Sequence, residues 1–210
     1  GYVAAFPFAE VISGYTAFYL GAKSVNPDVT MEIMYTNSWN DPTVESQVAK
    51  ALIDRGCDVI SQHSDSTAPA TTAEDNGVWQ VGYNNDMIEA APNASLISPR
   101  IDWGIYVTEA VQAMIDGEEI PTDWCKGLAD GAVYLSPLNE NIAAEGTQEA
   151  IDEAAEKIKS GELHVFAGPL KGVSPEGEEY EVPEGEYYHE QEEASAPSWL
   201  YIVDGCTVVE

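Results

Sequence analysis

Short apolar runs alternate with longer stretches in which apolar residues recur at helical spacing through the first hundred residues of the chain. The short runs are bounded by Gly, Pro, Asn or Asp, which is typical of β-strands. The predicted strands cover residues 3–5, 31–35, 59–61 and 79–82, and the predicted helices cover residues 10–23, 42–55 and 66–76. This alternation with short joints predicts an α/β fold, with a parallel sheet and helices on both of its faces.

Residues at the ends of these helices agree with the periodicity. Asp41 precedes Pro42, so we expect Asp41 to be an N-cap and Pro42 to be the first helical residue. Gly56 and Gly77 follow the last periodic positions of their helices, where glycine commonly ends a helix.

The pattern changes after Pro92. It predicts a strand at residues 96–98, a helix at 103–116 ended by Gly117, a short strand at 133–135 and an exposed helix at 147–160. From His164 onward the chain is rich in Gly, Pro and Glu. Residues 165–166, 179–182 and 201–203 are predicted to be short strands joined by turns.

The charge is strongly unbalanced. The 210 residues contain 8 Lys and Arg against 37 Asp and Glu, a formal net charge of −29. Such a field repels phosphate backbones and anionic headgroups, which argues against nucleic-acid binding, direct lipid binding and a phosphate ligand. A salty habitat, a solvated extracytoplasmic surface and one local run all remain possible origins. Nine Glu fall between Glu176 and Glu193, and this run is interpreted as a solvated face, with a cation site as the minor alternative.

The cysteines and the first residues bear on the cellular compartment. Cys57 is expected to be a buried thiol, and Cys125 and Cys206 are candidates for a disulfide if the protein is exported. The chain opens on an apolar strand without an initiator Met or a signal sequence, so it is expected to be a fragment or a processed piece. There is no run of 18 apolar residues, the length that a membrane-spanning helix needs.

Candidate ligand-binding residues follow the ends of the first four predicted strands. In a parallel sheet these ends share one edge, and ligands bind there. The residues are Phe6, Asn37, Trp39, His63, Asp65, Tyr83 and Asp86. Aromatic rings with amide, hydroxyl and carboxylate groups, and no cation, suit a neutral planar ligand that forms hydrogen bonds. No Gly-rich phosphate motif is present.

Several of these residues have a structural alternative. Trp39 is also suited to covering a helix end, although ligand contact is favoured, Asp86 is suited to ending a turn, and Phe6 or Phe8 is suited to the core. His63 is open to three interpretations, namely a general base, a metal ligand or a neutral hydrogen-bonding residue, and the absence of a partner Cys or His favours the last. Nucleophile and metalloprotease motifs are absent, so we predict no catalytic residue, no metal, no cofactor and no enzyme activity.

Four segments resemble the basic membrane protein (BMP) family, the solute-binding components of ABC importers for purine nucleosides and bases. They read GYVAAFP at residues 1–7, TNSWNDP at 36–42, DVISQHSDS at 58–66 and GYNNDM at 82–87. The resemblance continues through Trp103-Gly104, Gly127-Leu128 and FAGP at residues 166–169. It therefore covers most of the chain.

The resemblance implies a type I periplasmic-binding-protein fold of two Rossmann-like lobes that close on the ligand. Residues 1–95 would form the second lobe, residues 96–165 the hinge crossing and returning elements of the first lobe, and residues 166–210 an acidic C-terminal segment with short strands. Most of the first lobe would then lie upstream. The implied location is extracytoplasmic, in the periplasm or as a membrane-anchored lipoprotein, and the implied partners are a purine-type ligand and ABC permease subunits.

The resemblance also assigns roles to site residues. Trp39 matches the aromatic residue that stacks on the ligand ring, and Asp86 matches the acidic residue that holds ribose hydroxyls. Nucleoside-binding members have a Lys where this chain has Ile101, next to Arg100, and this difference favours a free base such as adenine. The alternatives are a different small ring such as a sugar, a cytoplasmic ligand-sensing domain of a transcription regulator and, less favoured, a nucleoside hydrolase.

Overall fold

The computed structural model describes residues 1–190 and 196–210 of the chain. The helices are α1 (Ala9–Val25), α2 (Pro42–Asp54), α3 (Ala68–Asp75), α4 (Trp103–Asp116) and α5 (Thr147–Lys159). The strands are β1 (Tyr2–Ala4), β2 (Met31–Tyr35), β3 (Val59–Gln62), β4 (Trp79–Val81), β5 (Pro99–Ile101), β6 (Val133–Leu135), β7 (Leu170–Val173), β8 (Glu179–Val182), β9 (Ile202–Val203) and β10 (Cys206–Val208). Most of these elements match the predicted ranges to within two residues.

A five-stranded parallel sheet organises the fold, with the strand order β10-β2-β1-β3-β4. Tyr2 in the central strand β1 lies between Ile33 of β2 and Ser61 of β3. The outer strand β10 pairs with β2 and aligns Cys206 with Met31. The parallel sheet predicted from the first hundred residues is therefore confirmed, and β10 extends it with a strand from the other end of the sequence.

Each face of the sheet has its own apolar core, because successive strand residues point to opposite sides. On one face, Tyr2 of β1 packs with Tyr15 of α1, and both side chains are buried. On the other face, Val3 packs with Leu52 of α2 and with α3. Helices therefore cover both faces of the sheet, as the sequence pattern predicted.

The capping prediction for α2 is also confirmed. The Asp41 carboxylate accepts hydrogen bonds of 3.1 Å from the backbone N–H groups of Thr43 and Val44. These are donors that the first turn of a helix leaves without a partner. Pro42 follows as the first helical residue, and Gly117 ends α4 in the left-handed conformation at φ 74°.

Two predicted strands are wrong. Residues 96–98 run beside β4 but do not form a regular strand, because their backbone bonds to it are irregularly spaced: the Leu96 N–H donates to the Gln80 carbonyl oxygen at 2.8 Å, and the Gly82 N–H donates to the Ile97 carbonyl oxygen at 2.9 Å. The strand here is β5, which pairs antiparallel with β6. Residues 165–166 are likewise not a strand. The pattern also missed β7, whose short run includes Lys171 and Gly172, and β10, whose short run follows Gly205.

Two Ser-Pro segments meet where the chain leaves the large sheet. The Ser98 N–H donates to the Ser136 hydroxyl at 2.9 Å, and the Ser136 N–H donates to the Ser98 carbonyl oxygen at 2.8 Å. The buried amide of Asn139 binds the carbonyl oxygens of Pro92 and Ser95 at 2.8 and 2.9 Å. Beyond this junction neither α4 nor α5 has a buried residue.

A second small sheet, antiparallel in the order β8-β7-β9, lies near the C-terminal end of the described chain. Its core is the fully buried Trp199, which packs against Phe166, Tyr188 and Tyr201. The indole N–H of Trp199 donates to the carbonyl oxygen of Tyr201 at 2.7 Å. The last strand of this unit, β9, leads directly into β10.

All three thiols are free, so Cys125 and Cys206 do not form the disulfide that the sequence left open. Cys206 lies in β10, where burial raises the pKa of its thiol to about 12, whereas Cys125 is exposed. Cys57 is half-buried against the core that contains Val3 and Leu52, rather than fully buried. None of the described helices is long and apolar enough to cross a membrane.

Candidate ligand-binding site

The carboxyl ends of β1 to β4 lie side by side because all four strands run in the same direction. The sheet order places the loops after β2, β1, β3 and β4 in a row along one edge. These four loops carry all seven residues that the sequence singled out as ligand-binding candidates. They are Trp39 and Asn37 after β2, Phe6 after β1, His63 and Asp65 after β3, and Tyr83 and Asp86 after β4.

Three aromatic rings form a group at one end of this row. The ring of Phe6 lies 5.3 Å from that of Phe8 in a stacked arrangement and 5.3 Å from that of Trp39. Phe8 and Trp39 are 52% and 36% exposed, so the three rings form a contiguous apolar surface that solvent reaches. The sequence left open whether Phe8 belongs to the core or to the site, and the structure places it at the surface. We call Phe6, Phe8 and Trp39 the aromatic group.

Two asparagines shape the site loops through their backbone. Asn37 has φ 55° and Asn84 has φ 61°, both in the left-handed region that most side chains avoid. Asparagine tolerates this conformation better than most residues, since its short amide side chain can satisfy nearby backbone groups. Asn37 therefore has a structural role in turning the chain toward Trp39. Its amide is exposed at the same edge.

His63 lies near the middle of the row and is almost fully buried, at 5% exposure. Its ring is 4.0 Å from the ring of Tyr83, and its Nδ1 atom is 3.3 Å from the hydroxyl oxygen of Tyr2. Burial lowers the pKa of His63 to about 4, so the imidazole is neutral near pH 7. Burial also raises the pKa of Tyr83, with a smaller contribution from Glu10 and Asp65.

Two carboxylates border the rings. The backbone N–H of Asp65 donates to the carbonyl oxygen of Trp39 at 2.8 Å, which joins the two loops. Burial, and secondarily the charge of Glu45, raise the pKa of the Asp65 carboxyl. Asp86 accepts a hydrogen bond of 3.0 Å from the N–H of Ile88. One oxygen of Asp86 thus stabilises a turn, as the structural alternative proposed.

Glu45 is a site-supporting residue that sequence reasoning missed. It is fully buried. One carboxylate oxygen accepts from the Asp41 N–H at 2.9 Å, and the other accepts from the Ser66 hydroxyl at 2.6 Å and the Ser66 N–H at 3.2 Å. Glu45 therefore ties the loop of Trp39 to the loop of Asp65. The signal was available, because an acidic residue in the first turn of a helix often reaches back to the cap.

The chemistry of this edge is polar, aromatic and free of cationic side chains. Arg100, the cation next to Ile101, places its guanidinium 5.4 Å from the ring centre of Tyr134. Among the described residues, no group of three or more His, Cys, Asp or Glu is arranged to hold a metal ion. The arrangement can stack a flat ring and form hydrogen bonds with its rim.

In α/β sheets of this kind ligands bind at the carboxyl edge, which is where the aromatic rings and the carboxylates lie in this protein. Comparison with known proteins identifies the family. Residues 1–167 match the Bmp family, described as ABC transporter substrate-binding protein PnrA-like. The chain belongs to this family, which confirms the resemblance found in its sequence. Proteins of this family are extracytoplasmic components that bind small ligands and deliver them to permease subunits.

Two relatives and one solved structure illustrate the match. A purine-binding protein of Brucella abortus is 39% identical over 171 residues, which cover 81% of this chain and 48% of that protein. A putative ABC transporter glucose-binding protein of Haloferax volcanii, TsgA13, is 36% identical over 94% of this chain and 50% of its own length. The chain thus spans about half the length of these relatives.

The fold comparison agrees with the sequence comparison. A solute-binding protein of an ABC transporter system from Conexibacter woesei superposes with a TM-score of 0.63 at 20% identity. The match covers 78% of this chain and 55% of that one. The predicted fold class, a partial type I periplasmic-binding-protein fold, is therefore confirmed.

Proposed function

We propose that this chain belongs to the binding component of an ABC importer that captures a purine base, with adenine favoured over a nucleoside. The observation that carries the proposal is the aromatic group, held open to solvent beside neutral His63 and the carboxylate of Asp65. The name of the 39% identical relative, a purine-binding protein, supports the same ligand class.

The proposed binding mode follows from the position of each side chain. The purine ring stacks on Trp39, with Phe6 and Phe8 extending the apolar surface. Asn37, Asp65 and His63 form hydrogen bonds with the ring nitrogens and exocyclic groups. Tyr83 packs against the imidazole, with the two ring centres 4.0 Å apart. Closure of a two-lobed protein on the ring adds affinity by removing it from water.

Two features favour a free base over a nucleoside. One oxygen of Asp86, the residue matched to ribose binding, already accepts the N–H of Ile88. Ile101 occupies the position of the family's Lys, and the neighbouring Arg100 stacks on Tyr134. A ribose would therefore find fewer free polar partners here than in a nucleoside-binding site.

A ligand panel tests the proposal. The full-length protein is titrated with adenine, guanine, adenosine, guanosine and glucose, and its melting temperature and heat of binding are measured. At equal concentration, a ligand that binds more tightly raises the melting temperature further, so adenine should give the largest shift. Unchanged melting temperatures with all four purines would contradict the purine assignment. Incubation with the nucleosides should release no free base, since we propose binding without chemistry.

Trp39 gives a residue-level test. Trp39→Ala should weaken adenine binding by roughly 1–3 kcal/mol, the scale of one aromatic residue stacking on a base. Trp79→Ala is the matched control, because Trp79 is 45% exposed but begins β4 at the opposite edge of the sheet. Equal adenine affinity in wild type and Trp39→Ala would leave Trp39 a packing residue only.

A sugar is the second candidate ligand. The 36% identical relative is named as a putative glucose-binding protein, and aromatic rings also pack against the apolar faces of sugars. Glucose is in the panel for this reason. A melting shift with glucose and none with adenine would replace the purine proposal with this one.

A further inference from the structure

The imidazole of His63 is held on three sides by residues that leave it little freedom. The Tyr83 ring lies 4.0 Å away at a tilt of 35°, and the Tyr2 hydroxyl approaches Nδ1 at 3.3 Å. The third side is Gly14 of α1. A Cβ built on Gly14 would lie 2.7 Å from Nδ1 and 2.9 Å from Cε1, so the helix can approach the ring only because this residue has no side chain.

The hydrogen bond to Tyr2 determines where the imidazole carries its proton. Tyr2 is 3% exposed, and among the described residues Nδ1 of His63 is the partner of its hydroxyl. Burial raises the pKa of Tyr2, so the phenol keeps its proton. If Nδ1 also carried a proton, the buried O–H of Tyr2 would have no acceptor, which folded proteins strongly avoid. Tyr2 therefore donates, and Nδ1 is the unprotonated nitrogen.

The other ring nitrogen is left available. Nε2 has no hydrogen-bond partner among the described residues and is not sealed from solvent. His63 directly follows β3, so it lies at the carboxyl edge of the sheet. With the imidazole neutral and Nδ1 accepting, Nε2 carries the N–H.

We infer that Tyr2 and Gly14 hold His63 as the Nε2–H tautomer, so that His63 donates a hydrogen bond to an acceptor nitrogen of the ligand ring. This inference rests on the proposed function for the identity of the ligand. It gives His63 a specificity role, selecting rings with an unprotonated nitrogen at one position. It makes Tyr2 a positioning residue, which acts on the ligand only through His63.

Nitrogen NMR tests the tautomer without any ligand. Long-range proton–nitrogen correlation spectra of the full-length protein should show His63 at pH 7 with a protonated Nε2 and an unprotonated Nδ1. The His63→Phe spectrum assigns the signal by its loss. A protonated Nδ1 at pH 7 would overturn the inference whatever the protein binds.

Ring analogues test the donor. Binding is measured for adenine and for its 1-deaza, 3-deaza and 7-deaza analogues, each with C–H in place of one ring nitrogen. Wild type should bind one analogue about 10-fold to 100-fold more weakly than adenine, because the Nε2–H would then face a carbon. We call this difference in affinity between adenine and the analogue the gap. His63→Phe keeps an aromatic ring at this position but has no donor, so in this variant the gap should close.

Tyr2→Phe tests the positioning role with the core volume retained. It frees the imidazole to adopt either tautomer, so the gap for the same analogue should narrow by several-fold. Tyr15→Phe is the matched control, since the Tyr15 hydroxyl is also buried and lies 3.3 Å from that of Tyr35. It should leave the gap unchanged.

The outcomes separate this inference from the proposed function. If wild type binds none of the four compounds, the purine assignment is overturned and this inference with it. If wild type binds adenine, but no analogue binds it more weakly than adenine or the weaker binding of that analogue persists in His63→Phe, only the donor role of His63 is overturned. If the gap closes in His63→Phe but is the same in Tyr2→Phe as in wild type, the role of Tyr2 is overturned.

Discussion

The sheet region, residues 1–95, and the helical region, residues 103–160, have equally clear sequence patterns and very different interiors. The sheet region contains most of two apolar cores, with side chains such as Ile12 and Leu52 fully buried. In the helical region, α4 and α5 have no buried residue, and Met114 is 69% exposed. Helical periodicity thus predicts where a helix forms and which face is apolar, whereas burial depends on an element that covers that face.

Core truncation should give the largest difference between the regions. Leu52→Ala removes a fully buried side chain and should lower the free energy of unfolding by about 2–5 kcal/mol. Met114→Ala, at an exposed position of α4, should change it by less than about 0.5 kcal/mol. Urea unfolding of both variants measures the two effects. A comparable loss in Met114→Ala would show that the apolar face of α4 is covered in solution.

Acid should destabilise the sheet region through His63. In the unfolded chain the imidazole binds a proton at pH values below its ordinary pKa of 6.5. In the folded protein burial lowers this pKa to about 4, so the imidazole stays neutral between these two pH values. The unfolded state therefore binds more protons between these values, and the free energy of unfolding falls as the pH falls, by roughly 2–3 kcal/mol from this group.

Urea unfolding at pH 7 and pH 4.5 isolates this contribution. His63→Gln should lose less stability than wild type between the two pH values. His189→Gln, at an exposed position, is the control and should behave as wild type does. If the free energy of unfolding falls as much between pH 7 and pH 4.5 in His63→Gln as in wild type, groups other than His63 cause the decrease.

Helix caps should affect the two regions alike, because a cap is a local interaction. Asp41 caps α2 and Asp102 caps α4, each through its carboxylate. Asp41→Ala and Asp102→Ala should each lower the free energy of unfolding by about 1 kcal/mol. Asp41→Asn and Asp102→Asn keep a capping oxygen and serve as controls. A loss confined to Asp41→Ala would mean that α4 unfolds independently of the sheet.

The sequence predicted the elements where their signals are local. Asp41 with Pro42 located the start of α2, and Gly117 located the end of α4. It did not predict β10, because three residues after Gly205 become a strand only by pairing with β2. Nor did it place residues 96–98, where bonding to β4 competes with the contacts between Ser98 and Ser136.

The candidate site follows a similar division. Topology alone predicts that Trp39, His63 and Tyr83 share one edge, because parallel strands end together. The sequence did not reveal that Tyr2 of the neighbouring strand contacts His63 or that Glu45 ties two loops together. The Tyr2–His63 and Glu45–Ser66 contacts join residues distant along the chain, and only the contact of Glu45 with Asp41 had a local signal.

The position of β10 also bears on how the protein reaches its native state during synthesis. Cys206 aligns with Met31, 175 residues earlier, so the ribosome releases the first four strands long before their last neighbour exists. Until then β2 has an unpaired edge, the kind of surface on which nascent chains associate wrongly. Closing so long a loop also carries an entropic cost that slows the final pairing. The last step of folding is therefore expected to be the capture of this edge by β10.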